Sequence, residues 1–166
     1  MNVRAIFIDM DGTLLKASNN ISRRNMEAIY RLINQGVKVF LATGRHYEVS
    51  VRTGTPSHEL SALFKKEADI INWNDGFELV APNVSKWSAI KSLLREFRIS
   101  PNEVVAIGDG PNDIEMLRHV GTGVAMGNAS EEVKLAADFV TEHHENDGLA
   151  EFIERYLHKS YESNVI

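Results

Sequence analysis

The sequence predicts an α/β fold, a three-layer, doubly wound parallel sheet, and three observations carry that prediction. Short, near-continuously apolar runs of strand length recur at residues 3–8, 37–42, 104–107 and 124–126, the pattern of strands buried on both faces. Segments with helical apolar spacing alternate with them at 22–35, 85–97, 113–120, 130–137 and 148–157. Strand–helix alternation of this kind builds a parallel sheet with helices on both faces. Polar residues also follow each of the first three runs directly, at the strand ends where open parallel sheets bind ligands.

The first run, residues 3–8, ends in Asp9-Met10-Asp11-Gly12-Thr13. Carboxylates at the tip of a buried strand are costly unless paired, hydrogen-bonded or bound to a cation. Side chains at i and i+2 of a strand project the same way, so Asp9 and Asp11 share one site if the chain stays extended. The competing reading of these five residues is a surface Asp-x-Asp-Gly turn. Ser22 is placed to cap a helix running to Gln35, with Gly36 as its stop. Met26, Ile29, Tyr30 and Ile33 are expected in the core from that helix. Residues 37–42 read as a second buried strand, ending in Thr43-Gly44-Arg45.

The stretch from Arg45 to Lys86 is only about forty residues, too short for a domain of usual size. Within it Arg52-Thr53-Gly54-Thr55-Pro56 reads as a connector, and residues 57–68 as an amphipathic helix through Leu60, Leu63 and Phe64. Ile70-Ile71 is expected to pair with residues 77–80 around Asn74-Asp75-Gly76, since Asp-Gly is a strong hairpin signal. Ser85 caps the next helix, whose apolar stripe is Ile90, Leu93, Leu94 and Phe97. After the turn Ser100-Pro101-Asn102, the third buried strand ends in Gly108-Asp109-Gly110-Pro111-Asn112-Asp113. A short helix, a fourth strand followed by Gly127-Asn128, a further helix, a strand at Phe139-Val140 and a last helix complete the chain. The expected organisation is one core domain over residues 1–160, with an insert at about 46–84 and a tail at 161–166.

Composition narrows the function. The chain has 166 residues, a formal net charge of -5 and no cysteine. The absence of a basic stripe argues against a nucleic-acid partner. Disulfides and thiolate metal sites are excluded. No apolar stretch is long enough to span a membrane, and the N-terminus lacks the pattern of a secretory signal, so the expected location is cytoplasmic, with no membrane partner. His143 and His144 read as loop residues, because adjacent residues do not face one site on a helix. Asn128 reads as a turn residue, Arg45 as a surface or substrate-side residue, and Trp73 and Trp87 as core aromatics or as residues edging the site mouth, core being the favoured reading.

In a parallel sheet the three polar strand ends lie side by side. Asp9, Asp11 and Asp109 with the Thr43 hydroxyl make a rim suited to a hard cation and a phosphate, and Mg²⁺ prefers such oxygen ligands. Gly44 would let backbone N–H groups approach a phosphate closely, and Lys86 would add positive charge. Each residue has a plainer reading: Thr43 as a helix cap, Lys86 as a solvated helix residue, and Asp113 as a first-turn acid that complements the helix dipole.

Four motifs taken in order resemble those of the haloacid dehalogenase-like (HAD) phosphohydrolases: Asp9-Met10-Asp11-Gly12-Thr13, Ala42-Thr43-Gly44-Arg45, Lys86, and Gly108-Asp109-Gly110-Pro111-Asn112-Asp113. Val124-Ala125-Met126-Gly127-Asn128-Ala129 and Asn146-Asp147-Gly148 are similar to the Cof-type sugar-phosphate phosphatases within that superfamily. The resemblance implies a Rossmann-like core and a Mg²⁺-dependent phosphatase. It implies Asp9 as nucleophile, Asp11 as general acid and base, and metal ligation by Asp9, the Asp11 backbone carbonyl and Asp109. It further implies Thr43, Gly44, Lys86 and Asn112 around the phosphate, and Asp113 behind Lys86 or the metal's waters. Cof-type members usually carry a large cap domain between the second and third motifs, and here the insert is minimal. An open site served by a homo-oligomeric neighbour, or by a large substrate, follows as an expectation. A phosphomutase, a non-catalytic binding module and a phosphoacceptor receiver domain stand as alternatives to a phosphatase acting on small phosphorylated metabolites.

Overall fold

The computed structural model describes residues 2–43, 48–52, 69–73, 76–80 and 84–157. Its main sheet has five parallel strands: β1 (Ala5–Asp9), β2 (Lys38–Ala42), β6 (Val104–Gly108), β7 (Thr122–Ala125) and β8 (Phe139–Val140), in the order β2-β1-β6-β7-β8. Every residue of β1 and β6 is buried, as their unbroken apolar runs require. Alternate side chains feed two cores. Ile6, Ile8, Val105, Ile107 and Val124 face one; Ala5, Phe7, Val104, Ala106 and Ala125 face the other. The first core is closed by α1 (Arg23–Asn34) and α5 (Gly148–Phe152), the latter continued in π geometry over Ile153–Leu157. The second is closed by α2 (Lys86–Phe97), α3 (Ile114–His119) and α4 (Glu131–Leu135). The predicted three-layer architecture is therefore the observed one.

The helix boundaries follow local chemistry. The Ser22 hydroxyl accepts from Asn25 N–H at 3.0 Å and Gly36, at φ +82°, takes the chain out of α1. Ser85 and Ser88 cap α2 reciprocally: Ser85 Oγ accepts from Ser88 N–H at 3.1 Å, and Ser88 Oγ accepts from Ser85 N–H at 3.0 Å. This fixes where α2 starts, and so where Lys86, its first residue, stands. Trp87 is buried and stacks on His119 at 5.1 Å between centroids, in keeping with its core reading.

Two expectations about burial are corrected. β2 lies at the sheet edge, so Leu41 is 53% exposed and no residue of the strand is fully buried. Its inner residues still meet both cores, Val39 packing on the first and Phe40 on the second, where it stacks on Phe7 at 4.7 Å. On α1 the core face is Asn25, Ala28 and Leu32, whereas Met26, Tyr30 and Ile33 are exposed. The periodicity was helical but its phase differs. Small Ala28 allows close approach, and polar Asn25 is accepted in the core because its Oδ1 receives the Ala150 N–H at 3.0 Å.

The insert forms a three-stranded antiparallel sheet, β3 (Glu48–Arg52), β4 (Asp69–Trp73) and β5 (Gly76–Val80), in the order β3-β5-β4. The β4–β5 pairing places Ile70 opposite Leu79 and Ile71 opposite Glu78, as the hairpin signal predicts. β3 was not foreseen. The expected helix over 57–68 and the turn Asn74-Asp75 lie outside the described residues. β4 comes within 8 Å, Cα to Cα, of the turn Pro111–Asp113 that follows β6.

Candidate active site

β1 and β6 are neighbours in register, Ile8 opposite Ile107, so Asp9 and Asp109 leave the sheet side by side. Past Asp9 the chain does not stay extended. Leu14 N–H bonds to Asp9 O and Leu15 N–H to Met10 O, while Gly12 takes φ +75°. Asp9 is buried and Asp11 exposed, outside the cluster formed by Asp9, Asp109 and Asp113, whose carboxylates each place an oxygen within 4.8 Å of the others. The third carboxylate of the cluster is thus Asp113 rather than Asp11.

Lys86 reaches this cluster from the start of α2. Its Nζ donates to Asp9 Oδ1 at 2.5 Å and to Asp113 Oδ1 at 2.7 Å, and all three side chains are nearly solvent-free. A lysine in the first turn of a helix opposes the helix dipole, and two buried carboxylates offset that conflict. Asp113 Oδ2 accepts the N–H groups of both Asp109 and Gly110, at 3.0 and 2.9 Å. So Asp113 binds Lys86 with one oxygen and shapes the β6 turn with the other, which agrees with its expected place behind Lys86. Gly108 makes room for it: a Cβ there would stand 2.7 Å from Asp113 Cβ.

Burial, then the Asp113 charge, push Asp9 up to about 8, with Lys86 opposing them. Asp109 rises to about 6, again from burial first and Asp113 second, against the Thr13 hydroxyl. Lys86 is shifted upward; its burial, the largest influence, acts the other way and is outweighed by Asp113 and Asp9. Ionising Asp9 and Asp109 beside Asp113 would give the cluster more negative charge than the single Lys86 ammonium offsets. Buried excess charge of that sign fits a divalent cation with oxygen ligands.

Two further donors set Asp109. Its Oδ1 accepts from Thr13 Oγ1 at 3.0 Å and its Oδ2 from Asn128 Nδ2 at 3.1 Å. Gly12 is required here twice, by its positive φ and because a Cβ would stand 2.8 Å from Asp109 Cγ. Gly12→Ala is therefore expected to cost about 1–2 kcal/mol from backbone strain alone and to weaken divalent-cation binding by displacing Asp109. Urea denaturation and a Mn²⁺ titration check the two effects separately.

Thr43 is exposed just past the end of β2 and lines a cleft of about 120 Å³ with Lys86, Phe7, Leu41, Ala42 and Ile90. Asn112 is half-buried in the turn Pro111–Asp113. Gly44 and Arg45 lie outside the described residues. Sequence reading missed Asn128 as more than a turn residue, for its partners are far away in the chain. His143 and His144 sit at the turn His144–Asn146, as loop residues.

A family model for haloacid dehalogenase-like hydrolases matches residues 6–55 and 56–153. The chain belongs to that family. Among curated relatives, a phosphoglycolate phosphatase of Methanoculleus marisnigri is 29% identical over 172 residues, covering 90% of this chain and 74% of that protein. The chloroplastic endoribonuclease YBEY of Arabidopsis thaliana is 45% identical over 83 residues, covering 50% of this chain but only 14% of that protein. Among solved structures, a HAD subclass IIB sugar phosphatase superposes with a TM-score of 0.81 at 21% identity, covering 93% of this chain and 99% of that one. At that identity the likeness concerns the fold, and it agrees with the five-stranded core. Among the described residues no helix of this HAD-family chain is long and apolar enough to cross a membrane.

Proposed function

We propose that this chain is a Mg²⁺-dependent phosphomonoester hydrolase of the Cof-type branch, acting on small phosphorylated metabolites such as sugar phosphates. The observation that carries the reading is the convergence of Asp9, Asp109 and Asp113 on Lys86 at the strand ends of a HAD-family sheet. Asp9, the Asp11 backbone carbonyl and Asp109 would hold the cation, which when bound supplies charge neutralisation and orientation for the phosphoryl group.

Asp9 attacks phosphorus through its carboxylate, and the bond to the leaving oxygen breaks. Asp11 donates a proton to that oxygen, leaving an alcohol and an aspartyl-phosphate on Asp9. Asp11, now ionised, takes a proton from water, which attacks the same phosphorus and releases inorganic phosphate and Asp9. The exposure of Asp11 suits a group that must meet both the leaving alcohol and the incoming water. Lys86, Thr43, Gly44 and Asn112 would hold the phosphoryl oxygens. Asp113 would keep Lys86 in place. The β3–β5–β4 sheet would serve as a reduced cap, β4 standing beside the turn Pro111–Asp113.

The test is phosphate release from p-nitrophenyl phosphate and a panel of sugar phosphates, with Mg²⁺ or with EDTA. Turnover that EDTA abolishes and Mg²⁺ restores is the expected result. Folded protein with no turnover on any substrate would move the reading to a binding module.

A further inference from the structure

We propose that Asn128 is a positioning residue that sets the Asp109 carboxylate for the cation and locks it to the loop after β1. The inference rests on the reading of Asp109 as a metal ligand and goes beyond it. Asn128 follows β7, in a turn that carries none of the four motifs. Its Nδ2 donates twice, to Gly12 O at 2.8 Å and to Asp109 Oδ2 at 3.1 Å, and its Oδ1 accepts the His144 N–H at 3.0 Å. The amide therefore uses both protons and its oxygen. Its orientation is fixed by chemistry, since a backbone carbonyl only accepts and a backbone N–H only donates.

The consequence falls on Asp109. Thr13 holds one of its oxygens and Asn128 the other, so the carboxylate plane is set from two sides while each oxygen keeps a lone pair for a cation. The same amide couples Asp109 to the first-motif loop through Gly12 O. The His144 side of the network grips that loop again: His144 Nδ1 lies 2.8 Å from Leu15 O, Lys16 Nζ donates to Glu145 O at 2.8 Å, and Ala17 N–H donates to Glu145 Oε1 at 2.7 Å. Asn128 is the junction at which the loops after β1, β6 and β7 and the turn His144–Asn146 are tied together. No other side-chain type of this size offers two donors and one acceptor in that arrangement. Aspartate at 128 would keep the His144 bond but set an acceptor against Gly12 O and a carboxylate against Asp109.

The test compares wild type with Asn128→Ala and Asn128→Asp in the full chain. Mn²⁺ binding to metal-free protein is followed by electron paramagnetic resonance of free Mn²⁺, and folding by thermal denaturation in EDTA. Loss of a group that orients a metal ligand weakens affinity by about 10–100-fold. Both folded variants are expected to fall in that range, Asn128→Asp included, despite its added negative charge. The half-activating Mg²⁺ concentration for phosphate release should rise by the same factor, with turnover at saturating Mg²⁺ falling less. A purely structural asparagine would lower the melting temperature and leave Mn²⁺ affinity alone. Variants within about twofold of wild type, or an Asn128→Asp protein that binds more tightly, overturn the proposal while leaving the phosphatase reading intact. Wild-type protein that binds no Mn²⁺ overturns both. If Asn128→Ala does not fold, Asn128→Asp, which retains the His144 bond, decides.

Discussion

Asp9→Asn is expected to abolish phosphate release, by about 10⁴-fold or more, while leaving the metal-free protein folded and its stability less dependent on pH. The first effect follows from removing the nucleophile. The second follows from where Asp9 sits. Its value rises from 3.8 to about 8, through burial first and the Asp113 charge second. A raised carboxyl value means that the folded state holds the proton more tightly than the unfolded chain. That contribution to stability is complete below about 3.8 and is lost as pH climbs towards about 8. Asp109, raised to about 6, has the same sign. The melting temperature of wild-type protein in EDTA should therefore fall between about pH 4 and pH 8, and Asp9→Asn should flatten the upper part of that fall. A divalent cation needs these carboxylates ionised, so Mg²⁺ binding at pH 7 should release protons. Calorimetric titration in buffers of different ionisation enthalpy counts them. Asp9→Asn, having lost the most strongly raised group, should release fewer. A wild-type melting temperature that rises with pH in EDTA would refute the charge balance proposed for the site.

Much of this site was legible because its parts are encoded locally. A carboxylate directly after an unbroken apolar strand is visible in five residues, and two such strands ending in acids, at Asp9 and Asp109, needed only a parallel sheet to bring them together. Serines at 22 and 85 and the glycine at 36 marked helix ends by mechanisms that need no tertiary partner. What escaped depends on partners far along the chain. The phase of α1 differs from the expected one because its core face includes polar Asn25, whose bond from the Ala150 N–H spans 125 residues. Asn128 looked like a turn residue because its bonds to Gly12 and Asp109 span 116 and 19 residues. The edge position of β2 is likewise a property of strand order, which an apolar run does not reveal.

The second large effect is expected at Lys86, where two physical terms predict opposite signs for one substitution. Lys86→Met removes a positive charge from the first position of α2, and the dipole alone would make that stabilising by about 0.3–1 kcal/mol. It also leaves Asp9 and Asp113 facing each other in a buried site without their shared ammonium. Breaking a buried pair by removing one partner costs about 3–5 kcal/mol, so the ion-pair term wins and the variant is destabilised. The loss should be smallest at low pH, where Asp9 can take up a proton, and should grow as pH rises, since Lys86 is what holds the Asp9 value down. Chemical denaturation of Lys86→Met in EDTA at pH 5 and pH 8 measures this directly. Adding Asp9→Asn should recover part of the stability, because the surviving carboxylate no longer faces a second one; without coupling between the two substitutions the shared ion pair would not be the cause. Lys86→Arg should not rescue activity. One compact ammonium bridges two oxygens at 2.5 and 2.7 Å, and a planar guanidinium has neither the size nor the geometry to replace it. Turnover should fall in both variants and the KM for the phosphate ester should rise, since the same ammonium that neutralises Asp9 and Asp113 faces the cleft shared with Thr43.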